Sequence, residues 1–167
     1  MRVGLAKTLL REGVWRPDLV GRVTWDTATG ESSDSDVPLG GGYHEISGSL
    51  SAIKRQDPIA FVGGLSYTYS LEKDDIQPGA AVSASFGSYI ALSPESSIQM
   101  LLSAGYEDET KWKGHEIDGS DRVVGSFVVG GSTLMAKGTL MNLSLSIGLT
   151  DDADDFSVSL SLPTRFY

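Results

Sequence analysis

Arg22, Asp26, Glu45, Glu72, Glu107 and Arg165 share the alternation parity of many Ser and Thr residues. Charges and hydroxyls gathered on one wall are the chemistry that sets selectivity in a pore. Carboxylates outnumber arginines in this set, which points to a bias toward cations or neutral solutes. The competing expectation is that these charges pair across strands and fill a small lumen. For an eight-stranded barrel the filling wins; for a larger one the pore wins. Covalent chemistry has little to work with. The only histidines are His44 and His115, and a nucleophile needs a base that is itself oriented by a third group. His44 and Ser47 are near in sequence and nothing more, so both histidines read as surface residues and the chain as no enzyme. The acidic runs DDADD and DSD could offer oxygens to Ca²⁺. They lack the central Gly and distal Glu of an EF-hand loop, so solvated loops are the expectation, with no metal and no cofactor.

The elements that must position these residues are strands. Period-2 alternation recurs along the chain and helical periodicity is nearly absent. Met141, Leu143, Leu145, Ile147 and Leu149 share one face, opposite Asn142, Ser144, Ser146 and Thr150. Phe156, Val158, Leu160 and Leu162 alternate with Ser157, Ser159 and Ser161. Further alternating runs cover residues 19–26, 59–72 and 98–107, and weaker ones 2–10, 43–54, 80–93 and 122–135. About nine strands result. Their connections interleave: REGVWRP, KRQDP, SPESS and MAKGT are short, whereas TGESSDSDVPLGGG, KDDIQPG, DETKWKGHEIDGSD and DDADD are longer or strongly acidic. Tight turns at one end and long loops at the other are the habit of outer-membrane barrels. Trp15, Trp25, Tyr67, Tyr69, Tyr106 and Trp112 fall near strand ends, where interfacial girdles lie.

Composition fits one domain over residues 1–167. A net charge of −9 excludes a nucleic-acid backbone as partner, and the absence of cysteine excludes disulfides and thiolate metal sites. No stretch approaches the roughly 20 apolar residues of a membrane helix, but barrel strands of about 10 alternating residues need none. A soluble all-β module whose apolar face meets a second sheet is the third possibility.

Several segments together resemble a known family. KRQDPIAFVGGLSYTYS, the SPESS turn, IDGSDRVVGSFVVGG and GLTDDADDFSVSLSLPTRF look like the C-terminal half of the bacterial outer-membrane β-barrel channels grouped as "transporter" or as the MetA-pathway of phenol degradation. The likeness runs from about residue 17 onward, and the order and spacing of the motifs carry it. It implies an antiparallel up-and-down transmembrane barrel in the bacterial outer membrane, acting as a passive channel for small solutes. Outer-membrane lipid, the barrel-insertion machinery and a second copy of the chain are the implied partners. It also implies that Phe166 is the terminal aromatic read by that machinery, in phase with Val158, Leu160 and Leu162; Thr164 stands where an aromatic is more usual, and Tyr167 is out of phase. A small structural or adhesive barrel with a blocked lumen, and a secretion channel for an amyloid-type polypeptide, are the alternatives. Nine strands suit no single-chain bacterial barrel, which uses an even number. Either residues 1–11 stay out of the sheet and eight strands close from about residue 17, or the chain is the C-terminal piece of a larger barrel of about 10 to 14 strands.

Overall fold

The computed structural model describes residues 1–27, 43–136 and 138–164. Twelve strands follow one another: β1 (Arg2–Leu10), β2 (Asp18–Asp26), β3 (Glu45–Gln56), β4 (Ile59–Ser70), β5 (Ile76–Gln77), β6 (Ala81–Ser93), β7 (Ser96–Glu107), β8 (Lys111–Trp112), β9 (His115–Glu116), β10 (Arg122–Ala136), β11 (Thr139–Gly148) and β12 (Phe156–Ser161). Nine of them form one antiparallel sheet in the order β1-β2-β3-β4-β6-β7-β10-β11-β12. Each long strand therefore pairs with its neighbours along the chain. The three two-residue strands form a separate sheet, β5-β8-β9, between the two loops that flank the β6–β7 hairpin.

The expected strands are in place with ends shifted by one or two residues, except that the last, expected over 156–166, ends at Ser161 and leaves Leu162 outside it. Residues 1–11 do not stay out of the sheet, so the eight-stranded solution is corrected: β1 runs from Arg2 to Leu10 and is registered against β2 from Arg2↔Asp26 to Leu10↔Leu19. Among the described residues no ladder joins β1 to β12, so the sheet is open and these two strands are its edges.

Register carries the alternation across the whole sheet. One row reads Gly21↔Leu50↔Leu65↔Ala84↔Ala104↔Gly125, and the next toward the turns contains Phe86↔Leu102↔Phe127↔Ile147↔Phe156. The opposite face carries Ser49↔Ser66↔Ser83 and Ser85↔Ser103↔Ser126.

Burial is inverted relative to a water-soluble sheet. Among the described residues no hydrophobic side chain is buried. In β7, Met100, Leu102, Ala104 and Tyr106 are exposed while Leu101, Ser103, Gly105 and Glu107 between them are half-buried. In β11, Leu143, Leu145 and Ile147 are exposed and Ser144, Ser146 and Gly148 are half-buried. Among the described residues no element packs over either face of the nine-stranded sheet, so we attribute the asymmetry to the sheet curving toward its hydroxyl side, where side chains shelter one another. Water would penalise this arrangement at roughly 25 cal/mol for each Å² of apolar surface left wet. A lipid exterior removes that penalty.

Candidate functional site

The concave face carries small polar residues at alternate positions along most of the long strands from β3 to β12. Hydroxyl contacts stitch it across strands: Ser66 Oγ to Ser83 Oγ at 2.6 Å, Ser103 Oγ to Ser126 Oγ at 2.7 Å, and Ser97 Oγ to Ser132 Oγ at 2.8 Å. A hydroxyl has one proton and two lone pairs, so each of these pairs still has one proton and three lone pairs to offer to neighbouring groups, water or a solute.

Charge gathers at the loop end of this face. Asp26 and Glu45 are cross-strand partners, and Glu107 is registered against Arg122. Arg2 grips Asp26 through Nη2 at 2.9 Å and Nε at 3.0 Å. Arg22 lies four residues further in along β2, two same-face rows from Asp26, beside Ser49 and exposed. Glu72 lies two residues past the end of β4, exposed and outside the strand. Arg165 and Phe166 fall outside the described residues. On the strands themselves the rim thus holds Asp26, Glu45 and Glu107 against Arg2 and Arg122, with Arg22 further in. Sequence reasoning missed Arg2 and Arg122; both sit at the first position of a strand, where alternation has no earlier residue to fix the face.

The face is not lined by hydroxyls throughout. Ile53↔Val62 and Leu101↔Val128 are concave-side pairs in one row, with Gly87 between Val62 and Leu101. This aliphatic belt separates the hydroxyl rows above it from a second polar zone at the turn end, containing Tyr89, Gln99, Ser97, Ser132, Asn142 and Ser144.

The convex face carries its aromatics near the loop end. Trp25↔Ile46↔Tyr69 and Tyr67↔Val82↔Tyr106 are adjacent rows. Trp112 lies instead on the loop sheet, and Trp15 is 90% exposed in the β1–β2 turn. Shallow grooves of 580 Å³ and 440 Å³ run over this face where Gly21, Gly48, Gly63 and Ala84 leave room.

Both ends of the sheet are pinned. At the turn end the Glu12 carboxylate accepts the Arg55 backbone N–H at 2.7 Å, Lys54 Nζ at 3.1 Å and Arg55 Nη1 at 3.2 Å. The Arg55 N–H and the Lys54 ammonium hold the Glu12 carboxyl below its usual range. At the loop end, Ile76↔Trp112 and Gln77↔Lys111 join the β4–β6 loop to the β7–β10 loop. Gln77 Nε2 donates to Tyr69 Oη at 2.9 Å and to the Ser70 carbonyl at 3.0 Å. The ion pair with Glu116, 3.1 Å away, raises the Lys111 pKa. Gly79 presses so close to Asp108 that a Cβ would lie 1.7 Å from its carbonyl oxygen. His44 lies 6.4 Å from the Trp25 ring, and His115 Nδ1 is 3.1 Å from the Lys113 carbonyl. Among the described residues no three His, Asp or Glu side chains converge on a metal position.

No family model matches the chain. Its fold is similar to the crystal structure of the COG4313 outer membrane channel from Pseudomonas putida F1, with a TM-score of 0.76 and 15% sequence identity over 96% of this chain. The match spans 63% of that channel's length. The two chains therefore share an antiparallel all-β sheet fold.

Proposed function

We propose that the chain forms the wall, or the C-terminal part of the wall, of a passive outer-membrane channel for small solutes. The observation that carries this reading is the inverted sheet: its apolar face is exposed, its hydroxyl face is the half-buried one, and no described hydrophobic side chain is buried. Lipid against Leu65, Phe86 and Leu102, with water against Ser66, Ser83 and Ser103, satisfies both faces at once. The solved channel that shares the fold supports the same assignment, as does the motif order that links the chain to the MetA-pathway transporters. Transport through such a wall needs neither cofactor nor covalent chemistry. Its partners are outer-membrane lipid, the insertion machinery acting through Phe166, and a second copy or further strands to cover the edges of β1 and β12; nucleic acid has no place at a net charge of −9.

Selectivity comes from the mouth more than from the strand rim. Asp26, Glu45 and Glu107 are partly offset there by Arg2 and Arg122, whereas the adjoining loops carry Asp74, Asp75, Asp151, Asp152, Asp154 and Asp155. A mild cation preference follows, with neutral solutes passing freely. The test is current in planar bilayers under a salt gradient. Discrete ohmic steps with a cation-selective reversal potential are expected; a chain that stays monomeric and soluble without detergent refutes the reading. The belt of Ile53, Val62, Leu101 and Val128 favours one competing reading, a structural barrel whose lumen is blocked. A chain that inserts fully and carries no current would select it.

A further inference from the structure

The turn end of the concave face holds a recess that conduction alone does not require. Tyr89, Ser97, Gln99, Ser132, Asn142 and Ser144 line a cavity of about 250 Å³. These residues come from β6, β7, β10 and β11, and their order across the sheet is fixed by register: Tyr89↔Gln99 in one row, Ser97↔Ser132↔Asn142 in the next. Between Gln99 and Ser144 stands the buried Gly130. A Cβ there would fall 2.8 Å from the Leu143 carbonyl oxygen and 3.1 Å from both Gln99 Nε2 and Ser144 Cβ. The missing side chain leaves the space that the Gln99 amide occupies.

The chemistry of the lining is narrow in kind. Gln99 and Asn142 contribute amides, each with donors and an acceptor; Tyr89 and the three serines contribute hydroxyls, which do both. No charge lies in the lining, so an ionic solute would find no counter-ion. The Tyr89 ring is 44% exposed, and the aliphatic row of Val62, Leu101 and Val128 borders the recess on its inner side. A wholly apolar solute would leave two amides facing it unpaired, which costs affinity. A pyranose ring meets every requirement: its hydroxyls both donate and accept, and its C–H face packs on an aromatic ring or an aliphatic edge. The volume lies below the roughly 300–1,000 Å³ of sites for drug-sized ligands, which sets an upper limit near one sugar ring.

We propose that this recess is a binding subsite for a neutral polyhydroxylated solute of monosaccharide size, hydrogen-bonded by Gln99 and Asn142 and stacked on Tyr89. The proposal rests on the reading of the concave face as a water-filled lumen.

Saturation-transfer NMR on the full chain in deuterated detergent, with methyl α-D-glucopyranoside as the probe, tests it without needing current. Transfer to the ring protons is expected. Gln99→Ala and Asn142→Ala should each weaken binding by up to about tenfold, the size of one neutral hydrogen bond, and Tyr89→Phe should retain more affinity than Tyr89→Ala. If an alanine variant loses its β-sheet circular dichroism, Gln99→Asn and Asn142→Ser carry the same comparison. Absent transfer in the parent chain, transfer unchanged in the amide variants, or tighter binding of phenol than of the glycoside would each overturn the subsite. Bilayer current reports separately: binding without current keeps the subsite and removes the channel, and current without binding does the reverse.

Discussion

Replacing Leu102 by arginine places a charge on the convex face at a depth that the strand itself defines. Leu102 lies five residues from the loop end of β7 at Glu107 and six from the turn end at Ser96. At about 3.3 Å per residue and a tilt of about 40°, five residues correspond to roughly 13 Å of depth, close to the middle of an apolar band about 25 Å tall. An arginine there costs about 2–4 kcal/mol, falling to about 0–1 kcal/mol near an interface. Tyr106→Arg, at the loop end of the same strand and the same face, supplies the interfacial comparison. Ser103→Arg turns the charge to the concave side, where water can solvate it. The assay is urea unfolding in lipid vesicles, followed by the fluorescence of Trp15, Trp25 and Trp112. With an m-value of about 1–3 kcal/mol/M, Leu102→Arg should lower the midpoint by on the order of 1 M, and the other two by much less. Equal losses at Leu102 and Tyr106 would mean that depth plays no part. A loss at Ser103 as large as at Leu102 would mean that the concave side is not wet. Either result refutes the lipid-facing assignment.

Other expectations follow from the pinned ends and the rim. The Glu12 carboxyl titrates below its usual range in the folded chain, so its contribution is present above the ordinary carboxylate pKa and is lost as pH falls through the depressed one. Amide protection factors in residues 11–17 should therefore fall on acidification, and Glu12→Gln should remove that pH dependence. Gly79→Ala cannot be accommodated against the Asp108 carbonyl; it should separate the two loops and expose residues 108–121 to limited proteolysis while the nine-stranded sheet keeps its circular dichroism. At Gly114, with φ +77° and open space around it, alanine should cost only about 1 kcal/mol, the strain of a left-handed turn, visible as a small shift in the urea midpoint. Glu45→Lys should move the reversal potential toward anions, because Asp26 beside it is already paired with Arg2; an unchanged potential would place the selectivity entirely in the loops.

The long strands were legible because an alternating run such as Met141 to Leu149 has a period that only an extended chain can place on two faces. The sequence also sorted Leu102 from Ser103 correctly without any tertiary information. Three features were not legible. The β5-β8-β9 sheet consists of two-residue strands, too short to show a period, and it exists because two loops far apart in sequence meet at Gln77 and Lys111. The belt of Ile53, Val62, Leu101 and Val128 looks like noise in an alternating pattern; only register shows that these four fall in one row. Strand edges misled as well: Glu72 has the parity of Ser70, but β4 ends before it. A signal for the recess was present in Gln99 and Asn142, the amides interrupting serine-rich polar faces, but their meeting depends on β10 lying between them.

Because every long strand pairs only with its neighbours along the chain, the hairpin is the unit of construction. Contacts of short sequence separation carry a small loop-closure cost, so each hairpin can be added to the growing edge of the sheet without waiting for a distant segment. The same property makes the width of the wall a modular quantity. Duplication or deletion of one hairpin, such as β3–β4 or β6–β7, would change the width of the sheet by two strands and leave the register of the others untouched. Channels of different bore could thus descend from one ancestral strand pair by copying, with selectivity then adjusted by substitutions on a face that the copying had already supplied.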